Sequence, residues 1–577
     1  MRDPPPRRRS RSAGRPGIAR PREPGDDPDL HACLAGSTAG RLSGGPPEGA
    51  SRPRAVSAAS TLARAGLIVS SAFLVARILG YVRVVVIANA FPATELDAFF
   101  AAFRIPDLIF QLVAAGALSS ALIPIVSGLF TTDERARAWR VVSTVINLML
   151  IGLLVLTVAL FILAPVVVPI ITPGFEGAKL DQTIDLTRIM LLSPIFLAMG
   201  AVATSVLNAG GRFAASAVAP VVYNLAIIGG ALILGPSLGI EGLALSVVAG
   251  SLGHLLVQLR PVARLGFRYE PRIDLADLES RKALTLMAPR AIGLGVTQIT
   301  FIVVTALASL LASGAVADFN FAFALLQIPL GIIGVPLGIV LLPTLSRDAA
   351  IGREEAFAAL LTRALRLLVY VMVPISALMA ILRQPVVELL FGGGSITRAD
   401  LDLIALTLVG FVLGLTAHAM IAVLARAFYA RQDTVTPVAA AVGAVAINCT
   451  LAVILVGSLG LPGIALAIAV AAWLEALFLL AILARRLTHF ALSGLGRVGV
   501  EAVIGSAIAS LAGIVALAGV DGFVALTSGR LVQIVPIVAV SLAFGVVYAV
   551  ISLALRIPEL PSMVGIMADL LRRPSRP

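Results

Sequence analysis

Arg77 and Arg83 stand in "FLVARILGYVRVVVIANAF", residues 73–91, a stretch otherwise apolar enough to sit in a lipid bilayer. A charge at bilayer depth is expensive, and ionisable residues kept inside a membrane default to functional candidates. Arginine offers a planar fork of donors that matches phosphate and carboxylate geometry. Two guanidiniums turned into a water-filled cavity suit a diphosphate headgroup. The competing reading pairs each with a backbone carbonyl or lets it snorkel to the surface. The two are six residues apart, roughly 120° around an ideal helix, so sharing one face requires a bend, and Gly80 lies between them.

Arg104, in "AAFRIPDL", and Arg290, after Pro289, are the next basic candidates. Each reads either as a group facing the cavity or as an anchor near the membrane surface. Asp97 begins the second span, where a carboxylate either complements the positive helix start or pairs with an arginine as a gate. Glu475 is a lone carboxylate in "VAAWLEALFLLAILARR", and His254 stands at the matching place in an earlier, similar segment. They read as a site of coupling to a cation, or as groups packed inside a lobe. Asp433 or Thr434 in "RAFYARQDTVTP" is placed to cap the span that follows. No Walker sequence, Gly-rich phosphate loop or Cys/His metal spacing occurs, and nothing calls for a cofactor or a catalytic residue.

The elements that must position these side chains are membrane helices. Of 577 residues 59% are hydrophobic and 13% charged, with a mean hydropathy of +1.00, more apolar material than a soluble chain needs. Runs such as "VVSTVINLMLIGLLVLTVALFILAPVVVPII" are long enough to cross a bilayer as helix, whereas an outer-membrane barrel has short alternating segments. The fold class is all-α and polytopic. Fourteen spans are expected, near 64–90, 97–128, 141–171, 184–208, 213–235, 239–260, 284–311, 316–345, 356–382, 400–427, 434–457, 460–484, 498–520 and 531–555. The net charge is +12, and beyond the Arg-rich N-terminal tail the basic residues sit largely in loops between spans, so they report topology and not nucleic acid. "TTDERARAWR", "RPVARLGFRYEPRIDLADLESRK" and "ARRLTHFALSGLGR" alternate with "FPATELD", "GPSLGIEG" and "VGSLGLPG", which lack Lys and Arg. Both termini are therefore expected in the cytosol.

"SLGIEGLALSVVAGSLGHLL" from Ser237 returns as "SLGLPGIALAIAVAAWLEAL" from Ser458, and the same offset carries His254 onto Glu475. "AFRIPDLIFQLVAAGALSSALIPIVS" and "ALLQIPLGIIGVPLGIVLLPTLS" form a second pair. Span two thus matches span eight, and span six matches span twelve. An even number of intervening spans keeps the orientation, giving two parallel six-helix repeats related by an axis along the membrane normal, plus two extra C-terminal helices. The expected divisions are an Arg/Pro-rich disordered cytosolic tail (1–56), an N-terminal lobe (57–262), a cytosolic amphipathic linker (263–283), a C-terminal lobe (284–486) and an appended pair of helices with a tail (487–577). Two such lobes describe an alternating-access transporter better than a channel or receptor.

"ARILGYVRVVVIANAF", "ELDAFFAAFRIPDL", "GALSSALIPIVSGLF", "GIIGVPLGIVLLPTLS" and "AFYARQDTVTP" resemble the MurJ (MviN) family of lipid II flippases, in the multidrug/oligosaccharidyl-lipid/polysaccharide exporter superfamily, over about residues 60–555. The resemblance implies a V-shaped pair of lobes and translocation of an undecaprenyl-diphosphate-linked peptidoglycan precursor across the bacterial cytoplasmic membrane. It matches the family's first-helix arginines to Arg77 and Arg83, its acidic residue to Asp97 and a basic one to Arg104. It also marks departures: Phe110 and Ala324 stand where the family often has arginine, and Ala115 where it often has glutamate. Arg290 is the candidate that compensates. The implied partners are the lipid-linked precursor, membrane lipids and cell-wall synthesis or division proteins. Export of another polyprenyl-diphosphate glycan or of a drug, and a non-transporting scaffold, are the rival readings. A cation-coupled drug exporter would more naturally place a carboxylate where this chain has arginines.

Overall fold

The computed structural model describes residues 54–113, 117–487, 490, 492–526 and 529–561, and every regular element among them is helical. From Ser60 onward the described residues form one compact unit. The Arg/Pro-rich tail lies outside the described residues up to position 53. In a bilayer each backbone N–H and C=O must be satisfied within the segment, and these apolar runs can meet that demand only as helix.

The helices are α1 (Arg54–Ala90), α2 (Ala93–Val113), α3 (Ala117–Thr131), α4 (Arg135–Ile171), α5 (Gly177–Met190), α6 (Ser193–Ala209), α7 (Phe213–Ile233), α8 (Gly235–Ala263) and α9 (Leu278–Ser309). There follow α10 (Ala315–Pro329), a π-helical turn (Leu330–Gly334), α11 (Val335–Ala350), α12 (Glu354–Ile381), α13 (Arg383–Phe391), α14 (Arg398–Val412), α15 (Leu415–Ala430), α16 (Val435–Arg486), α17 (Leu492–Leu526) and α18 (Ile534–Ala554). Eight helical stretches among the described residues are long and apolar enough to cross a membrane. Fourteen spans are compatible with this: 213–263 and 435–486 each hold two, the bent pair α14 and α15 adds another, and the remaining expected spans are not among these stretches.

Both double stretches turn at a glycine of positive φ, Gly239 (φ 60°) and Gly460 (φ 60°). These are the glycines of "SLGIEG" and "SLGLPG". An L side chain resists that conformation, which explains the residue type. Three residues on, a β-carbon at Gly242 would press on the Leu234 carbonyl, and one at Gly463 on the Leu455 carbonyl. The internal repeat is thus visible as the same backbone device at the same place in each copy.

The tenth expected span departs from a straight helix. It is α14 and α15, bent by 45° between them. A β-carbon at Gly414 would lie 2.6 Å from Ala469 Cα and one at Gly410 2.9 Å from Ala465 Cβ, so the bend lets α15 and α14 hug α16.

Asp433 caps α16, as one of the two expected candidates. It accepts from Thr436 N at 2.9 Å and Thr436 Oγ1 at 2.6 Å, and pairs with Arg486 at 2.6 Å. The Thr436 bonds first, and then Arg486, hold its carboxyl down at about 2. Because Arg486 ends the same helical stretch, the pair also ties the two halves of α16 together. Residues between α8 and α9 dock on α4, where Asn147 donates to the carbonyls of Glu270 and Arg272, both at 2.9 Å. Asp277 then caps α9 through Ser280 N at 3.0 Å and pairs with Arg137 at 2.7 Å. The appended helices α17 and α18 pack on α12, where Tyr370 donates to Ser552 at 2.9 Å and Arg366 meets Glu559 at 2.7 Å.

Candidate functional site

The helix α1 runs unbroken through Gly80, so the expected bend is absent and the two arginines keep their angular separation. Each finds a different neighbour. Arg77 is exposed, and its guanidinium lies so close to the π-helical turn that a β-carbon at Gly331 would overlap it. A side chain at 331 would push the flexible end of Arg77 aside. Arg83 is half-buried and sits 5.7 Å from the centroid of the Tyr223 ring on α7, with its guanidinium over the ring face. Neither has a salt-bridge partner within 4 Å among the described residues. Arg83 and Arg104 do act electrostatically on Asp107, one turn beyond Arg104 on α2. Tyr81, one turn past Arg77, donates to the Gln327 carbonyl of α10 at 3.0 Å, so the Arg77 face of α1 lies along α10 and the π-helical turn.

Arg104 is committed within the protein. Its Nε donates to Thr305 Oγ1 of α9 at 3.0 Å and its Nη2 to Asn320 Oδ1 of α10 at 2.7 Å, with the Phe301 ring 5.1 Å away. It joins α2 to the helices that follow the α8–α9 connection. The sequence offers no sign of these partners, which lie 201 and 216 residues away.

Asp97 is 1% exposed and makes the same crossing. Its partner is a lysine where sequence reasoning expected an arginine: Lys179 of α5, at 2.6 Å. It also accepts from Gly314 N at 2.6 Å and Ala317 N at 2.9 Å, the free donors at the start of α10. So Asp97 caps a helix, though not its own. Gly314 has φ 104°, a conformation that glycine adopts freely, and this aims its N–H at the carboxylate. Lys179 reaches onward to Ser313 Oγ at 2.9 Å, and Gly174 N donates to Ser309 Oγ at 3.2 Å. Phe100 packs edge-on to Phe321 at 5.6 Å directly beneath. Asn89, at the end of α1, donates to the Leu390 carbonyl at 2.8 Å and accepts from Gly393 N at 3.1 Å. This end of the molecule is sealed by charge-assisted hydrogen bonds over an aromatic layer.

The remaining candidates sit apart from this cluster. His254 turns Nδ1 into the interior with no partner, against Gly200 of α6. Glu475 is half-buried on α16 with no hydrogen bond or ion pair among the described residues, and no cation stands beside it. The Arg290 side chain lies outside the described residues. No group of three His, Cys, Asp or Glu able to hold a metal occurs among the described residues. Phe110 packs against the apolar core of α2 to α6, and Ala324 is half-buried on α10, so neither position supplies charge. A second-lobe arginine that sequence reasoning passed over, Arg426 of α15, lies against Gly338 of α11. Gly338 is seven residues, about two turns, past the glycine that faces Arg77.

Residues 87–542 match the family described as "Lipid II flippase MurJ". The chain is 32% identical over 429 residues to the lipid II flippase MurJ of Burkholderia cenocepacia, covering 72% of this chain and 83% of that one. It is 32% identical over 433 residues to a probable lipid II flippase MurJ of Vibrio cholerae, covering 73% and 82%. Among solved structures it resembles a lipid II flippase MurJ in an inward closed conformation, with a TM-score of 0.71, 22% identity, and 85% of this chain and 99% of that one covered. A multidrug resistance MATE family transporter in an inward-facing conformation follows at a TM-score of 0.60, with 17% identity over 73% of this chain and 96% of that one. The chain belongs to the MurJ family of lipid II flippases.

Proposed function

We propose that the chain carries lipid II, the prenyl-diphosphate-linked peptidoglycan precursor, from the inner to the outer leaflet by alternating access, with Arg77 and Arg83 on the diphosphate. The family match across residues 87–542 supports the substrate, and the pair of arginines without ion-pair partners supports the binding site. The protein is a multi-pass membrane transporter and has no reaction to catalyse. The first lobe (57–262) and the second (284–486) rock about a central cavity while the prenyl chain stays in lipid. Arg426 and Arg290 are the second-lobe cations that face the headgroup on its way in. The sealed end is the outer gate, Asp97 its latch and Arg104 its brace, while His254 and Glu475 remain candidates for ion coupling. The membrane is the bacterial cytoplasmic membrane, both termini are cytosolic, and cell-wall synthesis or division proteins are the protein partners. A binding event can bias the two lobe arrangements only by unequal affinity for them.

The test is conditional depletion of the native flippase in a host cell, complemented by this chain, with lipid II in the outer leaflet read by labelling. Restored outer-leaflet lipid II is expected. Growth without it would point to a scaffold, and failure with lipid II alongside transport of a different prenyl-diphosphate glycan would move the substrate assignment. The uncharged Phe110 and Ala324 favour the glycan alternative as the second reading.

Orientation has its own test. Cysteines placed in "GPSLGIEG" and "VGSLGLPG" are expected to react with an impermeant thiol reagent from outside the cell, and one in "TTDERARAWR" is not. The opposite labelling would invert the gate assignment.

A further inference from the structure

We propose that Asp318 is a proton-binding site that couples closing of the outer gate to uptake of a proton from the outside water. Asp318 stands on the first turn of α10, as far along the chain from Asp97 as Ser458 is from Ser237, and so at the equivalent place in the second repeat. The two carboxylates are treated oppositely. Asp97 receives Lys179 and two backbone N–H groups. Asp318 is just as buried, 1% exposed, and neither of its oxygens has a hydrogen-bond partner. Of the reciprocal positions at the start of α2, Ala93 and Leu96, the Leu96 N–H is already bonded to the Pro92 carbonyl.

The charged groups that act on Asp318 are Asp97 from α2 and Asp400 from α14. Asp400 is itself provided for by the Thr397 N–H and hydroxyl, at 3.1 and 2.7 Å. A β-carbon at Gly314 would lie 3.3 Å from Asp400 Oδ1 and 3.8 Å from Asp318 Oδ2, so both carboxylates flank the gate glycine. The ammonium of the cluster, Lys179 from α5, is taken by Asp97 and Ser313. An ionised carboxylate with no donor, buried beside two others, is the species that such a place excludes. The acid form fits that place, and the proton is the cation assigned to it.

The direction of coupling follows. Closing the gate buries Asp318 and binds a proton drawn from outside. Opening parts α2 from α10, admits water and lets the proton leave by the same side. The closed gate therefore holds more protons than the open one, so acid favours closure and alkali favours opening. A transporter whose gate is biased in this way answers to the external proton as well as to its lipid.

Spin labels at Thr94→Cys and Ala312→Cys, two exposed sites on either side of the gate, measure the opening directly once Cys33 and Cys449 are replaced by serine. In lipid nanodiscs the wild-type distance is expected to be short in acid, with a longer population growing as pH rises. Asp318→Asn, which mimics the protonated acid, should stay short at every pH. Asp400→Asn, which removes one like charge, should move the midpoint to lower pH, and it keeps the test usable if Asp318→Asn does not fold. An Asp318→Asn protein that titrates like the wild type, or a wild-type distance that pH does not move, would overturn the proposal. The measurement involves no lipid II, so its failure is separate from a failure of the substrate assignment.

Discussion

Replacing Arg77 by alanine is expected to cut lipid II transport by about ten- to a hundredfold while leaving the amount of folded protein in the membrane unchanged. A hydrogen bond to a charged partner contributes about 1.5–3 kcal/mol, and 1.4 kcal/mol is a factor of ten. Arg77 is exposed and has no ion-pair partner among the described residues, so truncation leaves water behind and strands no buried group. Arg83→Ala should lose transport to a similar degree with a modest fall in stability, because Tyr223 and Asp107 lose a neighbour. Lysine should rescue only in part, since it offers a point charge where a fork is needed. Gly331→Ala keeps every charge but puts a methyl where the end of the Arg77 side chain lies; that flexible end shifts aside, so transport should fall less than for Arg77→Ala. The readouts are outer-leaflet lipid II and membrane abundance for each variant. A chain lacking both arginines that still exports lipid II at normal abundance would remove the diphosphate from this site.

The elements were readable because their causes are local. Apolar run length set the helices, and Gly239 and Gly460 marked the repeat by a conformation that few other residues tolerate. The arginines of α1 were readable because charge is rare at that depth. Their surroundings were not. Which way Arg83 turns depends on how α1 and α7 are rotated about their axes, and no periodicity encodes that. The expected bend at Gly80 failed for the same reason: glycine permits a kink, but a β-carbon there would meet nothing within 4 Å, so no neighbour demands one. Where a neighbour does demand it, as Ala469 does at Gly414, the chain bends, and the sequence of α14 and α15 alone gave no warning. Asp97 shows the same limit from the other side. A carboxylate near a helix start was read as complementing its own helix, but the helix it caps begins 217 residues later, and Lys179 enters from a third segment. Asp318 escaped notice because a buried acid is recognised by the donors it lacks.

Asp97→Ala is expected to unseal the gate and abolish most transport. The side chain accepts three hydrogen bonds: those from Gly314 N and Ala317 N cross from α2 to the start of α10, and the one from Lys179 of α5 stays within the first lobe. Losing even two bonds of about 1.5–3 kcal/mol each shifts an open–closed equilibrium by more than a hundredfold, enough to turn a closed population into an open one. The donors left behind do not compensate, because the α10 amides lose their cap and Lys179 keeps only Ser313. Asp97→Asn should be nearly as damaging, since its amide accepts at one atom, carries no charge for Lys179, and turns an N–H₂ toward other donors. Lys179→Ala should be milder, because Lys179 is 25% exposed and the two backbone bonds to Asp97 survive. The expected order of damage is therefore Asp97→Ala, then Asp97→Asn, then Lys179→Ala, read as the fraction of long Thr94–Ala312 spin-label distances and as outer-leaflet lipid II. Transport must fall as the long population rises, because a gate that does not close cannot complete the cycle. An Asp97→Ala protein with the wild-type distance and wild-type transport would show that the seal rests on Arg104 and the Phe100–Phe321 layer, and that the carboxylate merely caps α10.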